Sequence, residues 1–479
     1  MSAFDLSQRR SVHVIGVGGP GMSAIAIALA EMGHTVSGSD MREQTVLERV
    51  RAAGVQVNVG HSRVVVHGCD AVTYSTAIPE RNIERDEAVA TGVPALHRSA
   101  MLAAICAQAK SLGVAGTHGK TTTASMLMLI LAHAGWRPSF VIGGDVTDMG
   151  TGAQWTGGEW FVVEADESDG THLALPLHGT ILTNVEADFL DFYGSLEEMV
   201  AGFDRYLNQV VGPKVLCLDD EVCARLAAAH NATTYGTSPS ADFRACNIKA
   251  GNGAMTFDVE HNGSSLGSVS LPLRGLHNVL NATGALAMAI TIGVPFEVVV
   301  AALAKFGGVA RRFDIRGVDD GVTFVDDYAH LPAEIAAVLA AARGSGDGWR
   351  RVIGVFQPNR FNRMATMSPD YRDSFADADV VVLTEIYPSG TTPIPGVTGK
   401  LVVNAVLDAH PGSTMVWMPR RDDLVDYLAR NLRAGDVCVS MGCGDISSLP
   451  DEVQLRRATF RSTSSSTSRS TSNSTARQR

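Results

Sequence analysis

The sequence lacks a long hydrophobic run, a leader peptide and paired cysteines. No apolar stretch approaches the ~20 residues that span a bilayer. Residues 1–16 have none of the regions of a signal peptide, so we expect a cytoplasmic protein without membrane insertion. The seven cysteines are scattered and form no C-x-x-C pair, which favours buried thiols over a cysteine metal site.

An excess of positive charge is also missing. The chain has 39 Lys and Arg against 50 Asp and Glu, and its net charge is −11. Nucleic acid and anionic membrane surfaces are therefore not expected as partners. The 479 residues, 45% of them hydrophobic, are enough for roughly three domains with real cores. We expect a monomer or a homodimer.

The segment from Gly113 to Ser125, GVAGTHGKTTTAS, predicts a phosphate-binding loop. A short apolar strand runs into a glycine turn and then into a helix that opens with three threonines. Backbone N–H groups and the positive end of the helix dipole point at an anion placed there. Lys120 adds a charge that can reach a triphosphate, and the Thr121 hydroxyl is placed to ligate Mg²⁺. Val114 replaces the first glycine of the strict pattern, so an ordinary glycine turn is the alternative.

Residues 11–40 contain a dinucleotide-binding fingerprint. Gly16, Gly18 and Gly21 form G-x-G-x-x-G between a predicted strand and helix, and a second strand ends at Asp40. NAD is the default ligand of this motif. The motif supplies only N–H donors and room, however, so another nucleotide diphosphate fits equally well. A tight turn without a ligand is the third possibility.

Two further features follow the phosphate loop. A strand predicted over residues 159–169 ends in acids, and on it Glu164 and Asp166 would share a face. Carboxylates beside a phosphate loop are what a Mg²⁺–triphosphate site needs, although a solvated acid cluster is the alternative. The run GLHNVLNATGALAMAI predicts a helix on which Asn278 and Asn281 share a face. These amides suit an adenine edge, but helix capping explains them equally well.

The chain changes character near residue 311. Strand–helix alternation resumes there and predicts a further, doubly wound α/β unit. Arg360 and Arg363 follow the strand that ends in FQPN, where two guanidinium groups can clamp a carboxylate. A surface basic pair is the alternative. After Arg456 the composition collapses to Ser, Thr and Arg, which predicts a disordered tail.

We therefore predict an α/β protein of three domains and a tail. The N-terminal domain covers residues 1–109 and is Rossmann-like. The central P-loop domain covers residues 110–310. The C-terminal domain covers residues 311–455 and is again Rossmann-like, and residues 456–479 form the tail.

Taken together, the motifs resemble those of the Mur ligases of peptidoglycan synthesis over about residues 11–447. The resemblance lies in GVGGPGMS, SGSD, AIP, GTHGKTTT, EADESD, TNVEAD, LDFYGS, GLHNVLNA, RRFD, DDYAH, FQPNRFNR and MGCGDI, in the family's order. It implies an amide ligase that uses ATP and Mg²⁺ to join L-alanine to UDP-N-acetylmuramate through an acyl phosphate. Ser168 separates the chain from related tripeptide-recycling ligases, in which Tyr is usual at that position.

The resemblance also implies roles for particular residues. The resemblance implies that the fingerprint binds a UDP-sugar instead of NAD. The residues assigned to the UDP-sugar are Gly18, Gly19, Gly21, Met22, Ser23, Asp40 and Ser75. The resemblance assigns ATP to Gly116, Thr117, His118, Gly119, Lys120, Thr121, Thr122, His277, Asn278, Asn281 and Arg312. Mg²⁺ falls to Thr121 and Glu164. The catalytic residues are Lys120, Glu164, Arg312 and Asp327, and the amino-acid pocket is Tyr328, His330, Arg360 and Arg363.

The chain departs from the family pattern at four places. Phe189 replaces the His of DHLD, which in the family ligates a second Mg²⁺. Leu331 replaces the second His of the family's HHP, and Asn359 replaces the His of QPHR. Ser99 and Ala100 replace the Ala and Glu of RAEML. Two alternatives therefore stay open, a paralogue that uses another amino acid and a degenerate nucleotide-binding protein with weak or no ligase activity. An NAD oxidoreductase would leave the phosphate loop and third domain unexplained.

Overall fold

The computed structural model describes residues 4–472, without side-chain detail for residues 190–191 and 463–472. Its chain divides into two compact units. One unit comprises Met1–Lys249, Met255–Leu273 and His277–Val309, and the other Ala250–Ala254, Arg274–Leu276 and Ala310–Arg479. Within residues 4–472, every helix is too short or too polar to cross a bilayer.

The first unit begins with a five-stranded parallel sheet. Its elements are β1 (Ser11–Ile15), α1 (Pro20–Glu31), β2 (Thr35–Asp40), α2 (Thr45–Ala52), β3 (Gln56–Val59), β4 (Ala71–Tyr74), α3 (Ile83–Thr91), β5 (Ala95–His97) and α4 (Arg98–Cys106). The strand order is β3-β2-β1-β4-β5. The order reverses between β1 and β4, and in such sheets a ligand binds at the strand ends beside this point.

A ten-stranded sheet makes up the rest of the first unit. Its elements are β6 (Lys110–Ala115), α5 (Lys120–His133), β7 (Ser139–Val146), β8 (Thr151–Gln154), β9 (Trp160–Glu164), β10 (Gly179–Leu182), α6 (Leu190–Tyr193), α7 (Leu196–Gln209), β11 (Lys214–Cys217), α8 (Glu221–His230), β12 (Thr233–Gly236), β13 (Phe243–Gly251), β14 (Ala254–His261), β15 (Ser264–Leu271), α9 (Leu276–Thr291) and α10 (Phe296–Leu303). The order is β15-β14-β13-β12-β11-β10-β6-β9-β7-β8. The strand that enters the phosphate loop, β6, lies between β10 and β9 and is parallel to both, so the loops after three strands meet at one edge.

The acid-ended strand is shorter than predicted. β9 ends at Glu164, and Asp166 lies in the loop beyond it. The Asp166 carboxylate accepts a hydrogen bond from the backbone N–H of Ser168 at 3.0 Å. This Asx-type turn ends the extended backbone, so the prediction that Glu164 and Asp166 share a strand face is wrong.

The second unit contains a six-stranded sheet. Its elements are β16 (Asp314–Asp319), β17 (Val322–Asp327), α11 (Pro332–Arg343), β18 (Arg351–Phe356), α12 (Phe361–Met367), β19 (Val380–Leu383), α13 (Lys400–Ala409), β20 (Met415–Trp417), α14 (Arg421–Asn431), β21 (Asp436–Met441) and α15 (Leu449–Ser472). The order is β16-β17-β21-β18-β19-β20, with only β16 antiparallel to its neighbour among these described strands. Short 3₁₀ helices in the described chain span Arg63–Val66, Thr171–Ala174, Ser368–Asp373 and Asp445–Ser448.

The C-terminal segment differs from the predicted disorder over its described part. Helix α15 continues to Ser472. Arg457 and Arg461 donate to the two carboxylate oxygens of Asp319 on β16, each at 2.7 Å. These arginines therefore have an acidic partner that the composition of the tail does not reveal. Residues 473–479 lie outside the described residues.

Candidate active site

The phosphate loop requires two of its glycines for steric reasons. Gly116 and Gly119 have φ values of 124° and 80°, in the left-handed region that favours glycine. A Cβ at Gly119 would collide with the Asn281 amide, and one at Gly116 with the Thr183 hydroxyl. Helix α5 starts directly after this turn, so its free N–H groups face the loop. The strand–turn–helix arrangement predicted from the sequence is confirmed.

Lys120 is held in place by the loop and by one buried acid. Its ammonium donates to the carbonyls of Gly116 at 2.6 Å and Thr117 at 3.1 Å. It also lies 2.9 Å from Oε2 and 3.0 Å from Oε1 of Glu167, whose side chain is fully buried. Burial acts to lower the pKa of Lys120, but the carboxylates of Glu167, Asp166 and Glu164 together outweigh it and the pKa is raised. The lysine therefore keeps its charge.

Glu167 is the acid that the sequence analysis missed. Burial raises its pKa to about 7, against the opposing effect of the Lys120 ammonium. The Tyr193 hydroxyl donates to the Glu167 backbone carbonyl at 2.8 Å and so fixes this part of the loop after β9. An anion placed in the phosphate loop would compete with Glu167 for the lysine.

Thr121 and Glu164 present adjacent oxygen atoms. The Thr121 hydroxyl lies 3.1 and 3.2 Å from the two Glu164 carboxylate oxygens. One of these oxygens also accepts from the Gly143 N–H at 2.7 Å. Within residues 4–472, no group of three or more His, Cys, Asp or Glu side chains could hold a metal by itself. The pair suits a hard cation that takes its other ligands from phosphate and water.

The loop after β10 clamps the phosphate loop from the other side. The Asn184 side-chain oxygen accepts from the His118 backbone N–H at 2.8 Å, and the Thr183 hydroxyl donates to the His118 carbonyl at 2.6 Å. The His118 ring lies 3.2 Å from the Glu186 carboxylate, and the Glu186 N–H donates to the Thr117 hydroxyl at 2.9 Å. The TNVEAD motif therefore fixes the loop's shape, a role that sequence reasoning did not assign.

Helix α9 brings the predicted amide pair to the phosphate loop. The Asn281 amide donates to the Asn278 side-chain oxygen at 3.3 Å, and both residues are buried. Asn281 also borders Gly119. The prediction that the two amides share a helix face is confirmed. His277 in the first turn of α9 is half-buried, whereas Thr122 on α5 is buried.

Phe189 has a left-handed backbone, with φ of 52°. This conformation is uncommon for a bulky residue. Its N–H donates to the carboxylate of Asp188, which is buried. The half-buried Phe189 side chain offers no metal ligand at this position.

In the first domain, Asp40 closes the glycine turn. Its carboxylate accepts from the Gly18 N–H at 2.9 Å and from the Gln44 amide at 3.2 Å. A Cβ at Gly18 would collide with this carboxylate. Gly19 and Gly21 border the start of α1 and are half-buried. The fingerprint's strand, turn and helix lie as predicted.

Three other residues assigned to the UDP-sugar have different surroundings. Met22 and Ser23 are buried, and the Ser23 hydroxyl donates to the Pro20 carbonyl at 2.9 Å. The Met22 side chain faces the interior, so only its backbone N–H group is a candidate for ligand contact. The Ser23 backbone N–H donates to the Gly19 carbonyl at 2.8 Å, so Ser23 supports the turn and offers the ligand no free donor. Ser75 is half-buried in the turn after β4.

In the second unit, a buried carboxylate ends β17. Asp327 accepts from the backbone N–H groups of Phe313 and Ala329, each at 2.7 Å. Burial raises the pKa of Asp327 to about 6, against the lowering effects of the Arg312 guanidinium and these two N–H groups. The Arg312 guanidinium lies 5.2 Å from the centre of the Tyr328 ring. Arg312, Asp327 and Tyr328 thus form one cluster, as their motifs imply.

The residues assigned to the amino acid lie after β17 and β18. Arg363 is buried and donates to the Asn359 side-chain oxygen at 2.9 Å. Arg360 precedes α12 with φ of 62°, and the His330 ring lies 3.2 Å from the Glu334 carboxylate. Arg363 is therefore not a surface basic residue, since its guanidinium is held by the residue that departs from the family's QPHR.

A glycine turn on a Rossmann-type sheet, a phosphate loop with a buried lysine and a third α/β domain define a three-domain nucleotide-binding protein. Family models match all three parts: "Mur ligase family, catalytic domain" at residues 11–110, "Mur ligase middle domain" at 114–289, and "Mur ligase, glutamate ligase domain" at 311–444. The chain belongs to the Mur ligase family.

Curated relatives match over nearly the whole chain. The UDP-N-acetylmuramate–L-alanine ligase of a Geobacter species is 40% identical, covering 93% of this chain and 97% of its own length. That of Pelotomaculum thermopropionicum is also 40% identical, covering 94% and 98%. The solved UDP-N-acetylmuramate–alanine ligase of Thermotoga maritima is 27% identical with a TM-score of 0.80, covering 94% and 100%. A murein peptide ligase from Psychrobacter arcticus is 25% identical with a TM-score of 0.66, covering 93% and 98%.

Proposed function

We propose that the protein is an ATP-dependent ligase that joins L-alanine to UDP-N-acetylmuramate in peptidoglycan precursor synthesis. The observation that carries the proposal is the 40% identity to UDP-N-acetylmuramate–L-alanine ligases over 93% of the chain and 97% of the relative. It is supported by a phosphate loop in which Lys120, Thr121 and Glu164 adjoin. The substrates, ATP and a UDP-sugar, agree with a cytoplasmic location.

The first step brings two anions together. The lactyl carboxylate of the sugar attacks the γ-phosphate of ATP, so the site needs concentrated positive charge. Lys120 supplies it by moving from Glu167 to the phosphates. Gly116, Gly119 and the first turn of α5 donate backbone N–H groups, whereas the Thr117 N–H donates to the Asn184 carbonyl at 3.0 Å and fixes the loop. His277, Asn278 and Asn281 contact the base of the nucleotide. Arg312 and Asp327, in the second unit, have the catalytic roles that the family's motifs assign to them.

Mg²⁺ fits the oxygen pair formed by Thr121 and Glu164. A hydroxyl and a carboxylate are the hard ligands that this ion prefers. When bound, the ion neutralises charge on the phosphates. The chain itself holds Glu164 in position through the Gly143 N–H. Phe189 cannot ligate a second ion, so the charge of Lys120 contributes a larger part of the stabilisation of the negative charge on the phosphates.

The second step needs an amino acid with its amine facing the acyl phosphate. Arg360 and Arg363 hold the carboxylate, and Tyr328 and His330 border the same pocket. The amine attacks the acyl carbonyl, and phosphate leaves from the tetrahedral intermediate. In the first domain, Asp40, Ser75 and the glycine turn at residues 18–21 hold the UDP-sugar, and Met22 contributes only its backbone N–H group. Ser23 supports this turn through its N–H bond to the Gly19 carbonyl.

The experiment is ADP release with UDP-N-acetylmuramate and ATP across L-alanine, glycine, L-serine and D-alanine. We expect release to depend on the amino acid and to be fastest with L-alanine. A higher rate with another amino acid would identify a paralogue instead. No ADP with any amino acid, with nucleotide binding intact, would identify a degenerate binding protein. Lys120→Ala is the matched inactive control.

A further inference from the structure

Arg98 connects the first sheet of unit one with the loop that carries the acids of the ATP site. It is the first residue of α4. Its Nη2 donates to Asp166 at 2.5 Å, and its Nε donates to Asp169 at 2.7 Å. Both carboxylates belong to the loop after β9. One guanidinium therefore bridges two acids through two different nitrogens, a geometry that the planar fork of arginine provides and the single nitrogen of lysine does not.

The third nitrogen of this guanidinium faces the glycine turn. Nη1 lies 3.4 Å from the point at which a Cβ on Gly21 would stand. Within residues 4–472, Nη1 makes no hydrogen bond to the protein, since Nε and Nη2 carry the contacts of Arg98. Gly21 lies in the first turn of α1, where free N–H groups and the helix dipole already favour an anion. A free donor thus stands beside this turn.

The loop held by Arg98 continues into the ATP site. Glu164, which faces Thr121, and Glu167, which binds Lys120, lie on either side of the bridged Asp166. A ligand that draws the guanidinium towards α1 therefore acts on residues at the phosphate loop through two ion pairs. The bridge spans 68 residues of sequence between Arg98 and Asp166, so no local motif reveals it.

We propose that Arg98 binds the diphosphate of the sugar nucleotide through Nη1 and couples its site to the ATP site through Asp166 and Asp169. The proposal rests on the proposed function only for the identity of the sugar nucleotide. Coupling between two sites is reciprocal. UDP should therefore tighten the binding of an ATP analogue, and the analogue should tighten UDP by the same factor.

The test measures UDP binding by calorimetry in the full-length protein, with and without a non-hydrolysable ATP analogue. In Arg98→Gln we expect the Kd of UDP to rise about tenfold, because one charge-assisted hydrogen bond is lost. We also expect the ratio of the UDP Kd without the ATP analogue to the UDP Kd with it, which is the coupling factor, to fall to one. Arg98→Lys keeps the charge but cannot bridge both acids, so it should retain part of the UDP affinity and lose the coupling.

Arg49→Gln is the matched control. Arg49 on α2 pairs with Asp145 at 2.9 Å, so it also connects the two sheets of unit one, but it does not border the glycine turn. This variant should keep both the UDP affinity and the coupling factor. A thermal melt of each variant establishes the fraction that is folded.

Four results would overturn the proposal. One is an unchanged UDP Kd in both Arg98 variants, and another is an equal loss of UDP affinity in Arg49→Gln, which would indicate general loosening. A loss of affinity for UDP-N-acetylmuramate with the affinity for UDP unchanged would show that Nη1 binds the sugar's carboxylate and not the diphosphate. Wild-type protein that does not bind UDP would overturn the sugar-nucleotide site itself. Failure of L-alanine-dependent ADP release with UDP coupling intact would overturn only the proposed ligase.

Discussion

We expect His172 to make the first unit less stable in acid. It lies in the 3₁₀ helix Thr171–Ala174, is fully buried, and has ring centroids 5.3 Å from those of Phe203 and Tyr206. Among the described residues, neither ring nitrogen has a hydrogen-bond partner. The imidazole therefore packs as an apolar ring, and its protonation would place a charge in the core.

The magnitude follows from the pKa. Burial lowers the pKa of His172 from 6.5 to about 4, although Asp166 and Asp169 act to raise it. The unfolded chain thus binds the proton more readily than the folded one. The contribution of His172 to stability is fully present above pH 6.5 and is lost as the pH falls towards 4. At ~1.4 kcal/mol per unit, the loss reaches about 3 kcal/mol at pH 4 and about 2 kcal/mol at pH 5.

The perturbation is His172→Phe, which keeps the ring and removes both nitrogens. Urea unfolding at pH 7.5, 6, 5 and 4.5 gives the free energy of unfolding of each protein. The free energy of unfolding of the variant should rise relative to that of wild type progressively as the pH falls below 6.5. His133→Gln, which removes an exposed imidazole at the end of α5, is the matched control. A difference between variant and wild type that stays constant with pH would refute the reasoning.

Three further predictions concern catalysis. Lys120→Ala should lower turnover by about 10²–10³-fold with UDP-sugar affinity unchanged; retention of more than a tenth of the turnover would count against the phosphate-loop assignment. Arg363→Ala should raise the KM for the amino acid about tenfold or more with little change for ATP, and equal rises in steady-state assays would indicate a structural role. Phe189→His should raise turnover or lower the Mg²⁺ requirement, whereas lower activity would contradict a lost metal ligand.

The predictable parts of the fold and site are local in sequence. The glycine turn before α1, the phosphate loop before α5 and the paired amides of α9 each depend on residues within one or two turns. Turn chemistry and helical spacing determine such features before tertiary contacts form. Their arrangement in the structure therefore follows the sequence pattern closely.

The cationic partners of Asp166 and Glu167 in EADESD could not be assigned from sequence. Glu167 reaches Lys120 across 47 residues, and Asp166 reaches Arg98 across 68. Which acid pairs with which cation depends on how the sheets pack, and no spacing rule reports it. The sequence does show four acids in EADESD, which is more than Mg²⁺ binding requires, and this excess indicates that some of them pair with cations.

The C-terminal helix shows the same limit. A Ser, Thr and Arg composition predicts disorder because it cannot bury a core. Arg457 and Arg461 nevertheless meet Asp319 on β16, a partner more than a hundred residues away in sequence. Ion pairs across such separations are decided by the tertiary fold.

The most direct test of the ligase mechanism uses UDP-N-acetylmuramate with ¹⁸O in its lactyl carboxylate. The protein is incubated with this substrate, ATP and L-alanine, and the products are analysed by mass spectrometry. An acyl phosphate requires one ¹⁸O to appear in the released phosphate and one to remain in the amide of the UDP-sugar product. Phosphate free of ¹⁸O, or ADP release without an alanyl product, would contradict the account.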